Sequence, residues 1–216
     1  MNAEPEPAPR SNPFSTRFIR PGSLDYLFPA AQCTPGEGVE SLIERLGCNQ
    51  WRGQIVGPHG SGKSTLLAAL EPALHETGRV CWTVCLRDAQ RAMPAGWVRE
   101  AASSHANQIV IDGFEQLSVW NRWRVRLCCR RRGWGLLVTA HRDVGLPGLF
   151  ETTSDLPTAQ AIVAQLLVAE SVHLGPEVVA EHFQAAGGNL REALFRLYDV
   201  WERTAGSRAA GRDRVE

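Results

Sequence analysis

The chain has 216 residues, and its 23 Lys and Arg balance its 23 Asp and Glu, so the formal net charge is zero. A chain of this length can bury a full hydrophobic core, and its neutral balance excludes a general attraction to nucleic acid or anionic membrane. No apolar run approaches the ~20 residues of a membrane span, and the acidic, proline-rich start is unlike a secretory signal. We expect a cytoplasmic protein without membrane attachment.

The predicted elements fall into five segments along the chain. Residues 1–13 have no apolar surface to bury and are expected to be a disordered, Pro-rich tail. The apolar, proline-broken segment 14–35 is expected to lie as an extended strap over the main domain. Residues 36–154 alternate strands with helices, which predicts an α/β domain with a doubly wound parallel sheet. Residues 155–204 contain only helices, and 205–216 form a polar, disordered tail.

Within the α/β segment the apolar patterns predict five strands. They are expected at 51–56, 79–86, 108–112, 134–140 and 149–153, with helices at 38–46, 62–75, 94–105 and 117–132. The later helices are expected at 158–171, 176–186 and 188–204. Cys81 and Cys85 lie in what is predicted as a buried strand, and the six cysteines contain no C-x-x-C pair. Buried thiols acting as small hydrophobes are therefore favoured over a zinc site or disulfides.

The only lysine of the chain is Lys63, and it lies in a stretch that fits the spacing G-x-x-x-x-G-K-[ST]. Glycines let such a loop curl its amide groups toward phosphates, and the compact ammonium group can follow the β- and γ-phosphates. A predicted strand precedes the loop and a predicted helix follows it, as this chemistry requires. The predicted ATP-binding residues here are Gly57, Pro58, His59, Gly60, Ser61, Gly62, Lys63, Ser64 and Thr65.

A second acidic element follows the phosphate-binding loop. Ser64 is expected to bind Mg²⁺ through its hydroxyl, and Asp112, at the end of the apolar strand 109–112, to hold the same ion through water. Glu115 is a candidate to orient or deprotonate an attacking water. It is equally compatible with a solvated position at a helix start, where a carboxylate favours the helix dipole.

Six arginines lie between Arg122 and Arg132, beside Trp120 and Trp123. Interleaved basic and aromatic residues are typical of single-stranded nucleic-acid sites. Helical spacing favours a different interpretation, in which the tryptophans face the sheet and the arginines form a solvated stripe. A nucleic-acid partner is possible through this helix but is not favoured.

Together these residues resemble the additional-strand P-loop ATPases, most closely the AAA+ and origin-recognition-like branch, over about residues 36–204. The resemblance implies the strand order 5-1-4-3-2, a helical lid at 155–204, and binding of ATP with Mg²⁺. It implies slow or partner-stimulated hydrolysis, with Lys63 and Glu115 as catalytic residues. Thr139 is similar to the first sensor of the family. Arg191, in the segment 187–194, is similar to the second sensor, although an exposed arginine on an amphipathic helix would fit the same pattern.

Alternatives remain open at this stage. The space after the sensor strand is too short for the helix that carries an arginine finger in many relatives, and Arg142 is the nearest candidate. A small-molecule or polynucleotide kinase could use Arg130–Arg132 as an anion clamp, but such kinases usually place the acidic strand next to the phosphate-loop strand. A non-hydrolysing switch that binds ATP to dock a protein partner is the other alternative.

Overall fold

The computed structural model describes residues 12–28, 38–87, 90–168 and 174–212, with side chains as far as Thr204. The described chain divides into two compact units. An α/β unit contains Asp25–Ser154, and a helical unit combines the residues up to Leu24 with those from Asp155 onward. Most of the predicted tail at 1–13, part of the predicted strap at 14–35, and the last four residues lie outside the described residues.

The structure contains eight helices and five strands within the described residues. The helices are α1 Thr16–Ile19, α2 Val39–Cys48, α3 Lys63–Glu76, α4 Trp97–Ser103, α5 Val119–Arg132, α6 Leu156–Leu167, α7 Pro176–Ala185 and α8 Leu190–Arg212. The strands are β1 Arg52–Val56, β2 Cys81–Cys85, β3 Gln108–Asp112, β4 Gly135–Ala140 and β5 Gly148–Glu151, with a 3₁₀ turn at Phe114–Gln116. Each predicted strand and helix is therefore present, with boundaries shifted by a few residues.

The five strands form one parallel sheet in the order β2-β3-β4-β1-β5. Read from the other edge this is 5-1-4-3-2, so the predicted strand order and the α/β fold class are confirmed. Strand β4 lies between β1, which leads into the phosphate-binding loop, and β3, which ends in Asp112. This separation is the additional-strand arrangement, and it disfavours the kinase alternative.

The sheet is apolar on both faces because helices cover both. On one face Val110 and Leu137 pack with Leu66 and Leu70 of α3. On the other face, residues one position along the same strands pack against the 3₁₀ turn and α5 (Ile109, Ile111, Leu136 and Val138 with Phe114, Val125 and Cys129). Since successive side chains of a strand point to opposite faces, continuous apolar strands β3 and β4 fit a sheet buried on both sides.

Strand β2 differs from its predicted buried position. It pairs only with β3 and forms an edge of the sheet, so that Cys81 is half-buried and Cys85 is exposed. The apolar sequence of this strand did not distinguish an edge position from a central one. Among the described residues, no group of three or more His, Cys, Asp or Glu side chains is arranged to hold a metal ion.

The prediction that Trp120 and Trp123 face the sheet is wrong. Their side chains are 64% and 51% exposed, while Val125 and Cys129 form the buried face of α5. The predicted solvated arginine stripe is also only partly correct, because Arg126 is half-buried, donates to the carbonyl of Val144 and lies over an aromatic ring. The long arginine stem covers apolar surface, which leaves the tryptophans on the solvent side.

The helical unit contains α6, α7 and α8 together with α1. Helix α7 packs against both α6 and α8, and Phe14 contacts Trp201 of α8 with the ring centroids 6.2 Å apart. Asn12 is buried and donates to Glu202 at 2.8 Å. The segment from Phe14 to Leu24, predicted as part of a strap over the main domain, is thus grouped with the helices. Helix α8 continues to Arg212, beyond the predicted boundary at 204.

None of the helices in the described part of the chain combines the length and the apolar character needed to cross a bilayer.

Candidate functional site

The phosphate-binding loop connects the carboxyl end of β1 to the first residue of α3. Gly60 and Gly62 have φ angles of 74° and 87°, in the left-handed region that glycine adopts most readily. Helix α3 begins at Lys63, directly after this turn. The first amide groups of a helix have no acceptor within the helix and carry the positive end of its dipole. The sequence therefore places a helix N-terminus at the edge of the sheet where it can receive an anion.

Gly57 is required by close packing at the start of the loop. A Cβ atom added to Gly57 would lie 2.2 Å from the Thr152 hydroxyl oxygen, 2.4 Å from the Thr152 carbonyl oxygen and 2.8 Å from the Ser61 hydroxyl. The hydroxyl groups of Ser61 and Thr152 are themselves 2.6 Å apart and share a buried hydrogen bond. The Thr152 amide in turn donates to Val56 at 2.7 Å. The segment after β5 thus fixes the base of the loop.

Lys63 is buried, with 9% of its surface exposed, and its ammonium group is folded back onto the loop. Its Nζ donates to the carbonyl oxygens of Gly57 at 2.8 Å and Pro58 at 2.6 Å, and lies 3.2 Å from His141 Nδ1. Burial lowers the pKa of Lys63, while the nearby carboxylates of Glu115 and Asp112 act to raise it. A phosphate would relieve this unfavourable burial of positive charge, because it would bring further negative charge to the ammonium group.

The predicted magnesium residues meet in the structure. The Ser64 hydroxyl donates to Asp112 Oδ2 at 2.6 Å. The other oxygen, Oδ1, accepts a short hydrogen bond from the Thr139 hydroxyl, which also accepts from the Gly113 amide at 2.9 Å. Hydroxyl and carboxylate oxygens are hard ligands of the kind that Mg²⁺ binds. The hydrogen bond from Thr139 orients the Asp112 carboxylate. Ser64 and Asp112 together therefore fit a magnesium ion held beside the loop.

Glu115 lies in the 3₁₀ turn after β3 and points into the site. Its Oε1 is 3.1 Å from His141 Nε2, its side chain is 21% exposed, and its buried Oε2 has no hydrogen-bond partner among the described residues. Glu115 therefore lies at a helix start, as the alternative interpretation allowed, but its side chain is partly buried there. Gly113 makes the turn possible, since it has a φ of 84° and a Cβ there would lie 2.8 Å from the Leu86 carbonyl.

His141 contacts both Lys63 and Glu115, two residues that the sequence analysis considered separately. One ring nitrogen contacts Lys63 and lies 3.1 Å from the Gly57 carbonyl, and the other contacts Glu115. The ring is also packed against His59, with the centroids 3.6 Å apart. Neither His141 nor Thr152 was among the predicted site residues. The signal for His141 was its position two residues after Thr139, which places both on the same side of the chain.

The structure brings Lys63, Ser64, Asp112, Thr139 and Glu115 together at one edge of the sheet. Thr65 is half-buried in the first turn of α3.

The two predicted arginines are both exposed. Arg142, the nearest arginine-finger candidate, is exposed. Arg191 is exposed in the first turn of α8, within the helical unit, with its guanidinium 5.6 Å from the Phe195 ring centroid. Its role as a sensor stays a prediction.

No protein-family model matches the sequence, and comparison with curated proteins finds no match. Solved structures do match the fold. A DNA replication initiation factor has a TM-score of 0.57 at 18% identity, over 88% of this chain and 70% of its own. The replication initiator DnaA bound to AMPPCP and single-stranded DNA has a TM-score of 0.54 at 18% identity, with the same coverage.

AMPPCP-bound DnaA from Aquifex aeolicus has a TM-score of 0.52 at 19% identity, over 74% of this chain and 58% of its own. DnaA is an AAA+ ATPase of the additional-strand P-loop class. At these identities the similarity establishes the fold. The α/β unit is a P-loop NTPase-like fold, and the predicted resemblance is confirmed at that level.

Proposed function

We propose that this chain binds ATP with Mg²⁺ at the loop between β1 and α3. The observation that carries the proposal is the position of Lys63, a buried ammonium group at a helix N-terminus that donates to two carbonyls of the loop. The fold neighbours bound to AMPPCP support the same ligand class. Lys63 and the loop amides would hold the phosphates, and Ser64 and Asp112 would hold the magnesium ion.

The ion would neutralise charge on the β- and γ-phosphates. The residues of this chain supply the remaining chemistry. Glu115 would orient or deprotonate a water, and its Oε2, which has no hydrogen-bond partner in the described part of the chain, would accept that proton. His141 contacts both Glu115 and Lys63, so the capture of Lys63 by a phosphate would also free the histidine to move with Glu115.

We propose that hydrolysis is slow or depends on a partner. Glu115 Oε1 lies 3.1 Å from His141 Nε2. The Glu115 carboxylate would have to leave His141 before it could orient a water. This pairing also supports the second candidate function, a nucleotide-dependent switch that binds ATP to dock a protein partner without hydrolysing it. Arg191 and the helical unit would act as the sensor and lid in either case.

Thermal unfolding with and without Mg-ATP tests nucleotide binding. A ligand at 100 times its Kd stabilises the folded state by about 2.7 kcal/mol, so a clear rise in the melting temperature is expected. Lys63→Met should abolish that rise, and Asp112→Asn should abolish its dependence on magnesium. Arg124→Met, at an exposed position of α5, serves as the control. Failure of Mg-ATP to stabilise the wild-type chain would refute the proposal.

Single-turnover cleavage of ATP separates the two candidates. The ATPase candidate predicts slow cleavage that Glu115→Gln reduces, whereas the switch candidate predicts none in either protein. A Glu115→Gln variant that cleaves ATP as fast as the wild type would refute the catalytic role of Glu115. Arg191→Ala should bind ATP and ADP with more nearly equal affinity, and an unchanged preference would refute the sensor role.

A further inference from the structure

A cationic cavity lies at the amino ends of the sheet strands, opposite the phosphate-binding loop. It has a volume of about 600 Å³ and is bounded by Arg52 at the start of β1, Leu136 at the start of β4, and the loop before β5. A neighbouring cavity of about 410 Å³ shares Gln50, Arg52 and Arg130 with it. The phosphate-binding loop follows the carboxyl ends of the strands, so the two sites do not overlap. Pockets of 300–1,000 Å³ are typical of small-molecule sites.

The lining of this cavity is cationic. Arg52, Arg126 and Arg130 contribute to it, and no acidic side chain does. None of the three forms an ion pair with a carboxylate within the ranges that the structure describes. The Nε of Arg126 is buried and has no hydrogen-bond partner in those ranges. Burial and the repulsion of Arg122 lower the pKa of Arg126, while the carboxylate of Asp143 acts to raise it. Three guanidinium groups that line one cavity match a phosphate, which arginine can bind in bidentate fashion.

One wall of the cavity is aromatic. Trp123 lines it, and its ring is stacked on Trp120 with the centroids 5.0 Å apart and the planes at 22°. The Trp123 ring is accessible, because 51% of its side chain is exposed. Leu127 and Leu146 add apolar surface nearby. A flat ring bound to a phosphate-bearing group could therefore stack on Trp123 while its phosphate meets the arginines.

The turn that carries the polar part of the lining is conformationally restricted. Gln50 and Trp51 connect α2 to β1 with φ angles of 56° and 61°. Non-glycine residues rarely occupy this left-handed region, and such residues concentrate at binding sites where the surrounding structure holds them. Here the Trp51 amide donates to the Leu46 carbonyl at 2.8 Å. Gln50 lines both cavities as a result.

We propose that this cavity binds a mononucleotide, with the phosphate on Arg52, Arg126 and Arg130 and the base on Trp123. The site is independent of ATP binding at Lys63 and would let a second, smaller nucleotide bind the same domain. The size of the cavity, its three arginines and its aromatic wall carry the assignment.

Calorimetric titration with thymidine 5′-monophosphate tests the proposal. The Lys63→Met full-length chain is used, with EDTA present, so that the phosphate-binding loop does not contribute. One binding site is expected. Arg52→Gln and Arg130→Gln should each weaken binding by about tenfold or more, the loss typical of a charge-assisted hydrogen bond. Arg124→Gln, an exposed arginine of the same helix that does not line the cavity, should leave binding unchanged.

Further variants test the aromatic contact and the phosphate contact separately and show whether the altered proteins are folded. Trp123→Leu should weaken binding of the nucleotide while leaving binding of inorganic phosphate unchanged. Arg52→Gln in the otherwise wild-type chain should keep its melting temperature and its stabilisation by Mg-AMPPNP. The proposal is overturned if no binding occurs at millimolar nucleotide, or if Arg124→Gln weakens binding as much as Arg52→Gln. It is also overturned if Arg52→Gln lowers stability without affecting the ligand, or if an oligothymidylate binds this site in preference to the monophosphate.

Discussion

Replacing Gly57 by alanine tests whether close packing fixes the base of the phosphate-binding loop. The added Cβ would come within 2.2–2.8 Å of three atoms, and one of them is the backbone carbonyl oxygen of Thr152, which no side-chain rotation can move away. Overpacked sites cost about 1–3 kcal/mol, and we expect the upper end here. For a domain of this size that loss corresponds to a fall of roughly 10 °C in the melting temperature.

Calorimetric melting of the Gly57→Ala protein measures this loss directly, and Mg-ATP should also no longer raise its melting temperature. The matched control is Gly148→Ala in β5. A Cβ at Gly148 would meet no atom within 4 Å, so this variant should melt within about 2 °C of the wild type, as surface substitutions usually do. A Gly57→Ala protein that is as stable as the control would refute the packing argument.

Three further outcomes follow from the buried polar groups. Burial lowers the pKa of Lys63, so the unfolded chain binds more protons at this group than the folded chain does. The free energy of unfolding should therefore rise with pH toward ~10.4. Urea unfolding from pH 7 to 10 should show that Lys63→Met lacks this rise. Thr139→Val, which removes the hydroxyl between Asp112 and an amide, should lower the free energy of unfolding by about 1–3 kcal/mol in urea; an unchanged midpoint would contradict that role. Burial raises the pKa of the Cys129 thiol to about 12, whereas Cys48 is exposed. Iodoacetamide at pH 8 should therefore modify Cys48 and leave Cys129 unmodified, as measured by peptide mass spectrometry.

Local sequence was sufficient for the phosphate-binding loop and its surroundings. Gly60 and Gly62 adopt the left-handed angles that the loop requires, and Lys63 begins the helix that follows. Asp112 ends a strand that is apolar throughout, as predicted. These features depend on contacts within a few residues, so the spacing of glycines, apolar residues and charges specifies them.

The same reasoning failed for α5 because its periodicity allowed two orientations. Arginine stems and tryptophan rings can both cover apolar surface, so composition alone did not decide which side faces the sheet. The neighbouring strands and the 3₁₀ turn decided it, since they buried Val125 and Cys129 and gave Arg126 an acceptor at Val144. The exposure of Trp123, which lines the cationic cavity, follows from this orientation of α5.

By itself the sequence determined an α/β sheet with a helix-capped loop around Lys63 and an acidic strand end at Asp112. The tertiary structure decided which distant groups complete the site. His141 reaches Lys63 across 78 positions of sequence at 3.2 Å, and Thr152 reaches Ser61 across 91 at 2.6 Å. Such contacts depend on which strands become neighbours, and β1 lies between β4 and β5 only because the whole sheet assembles in that order.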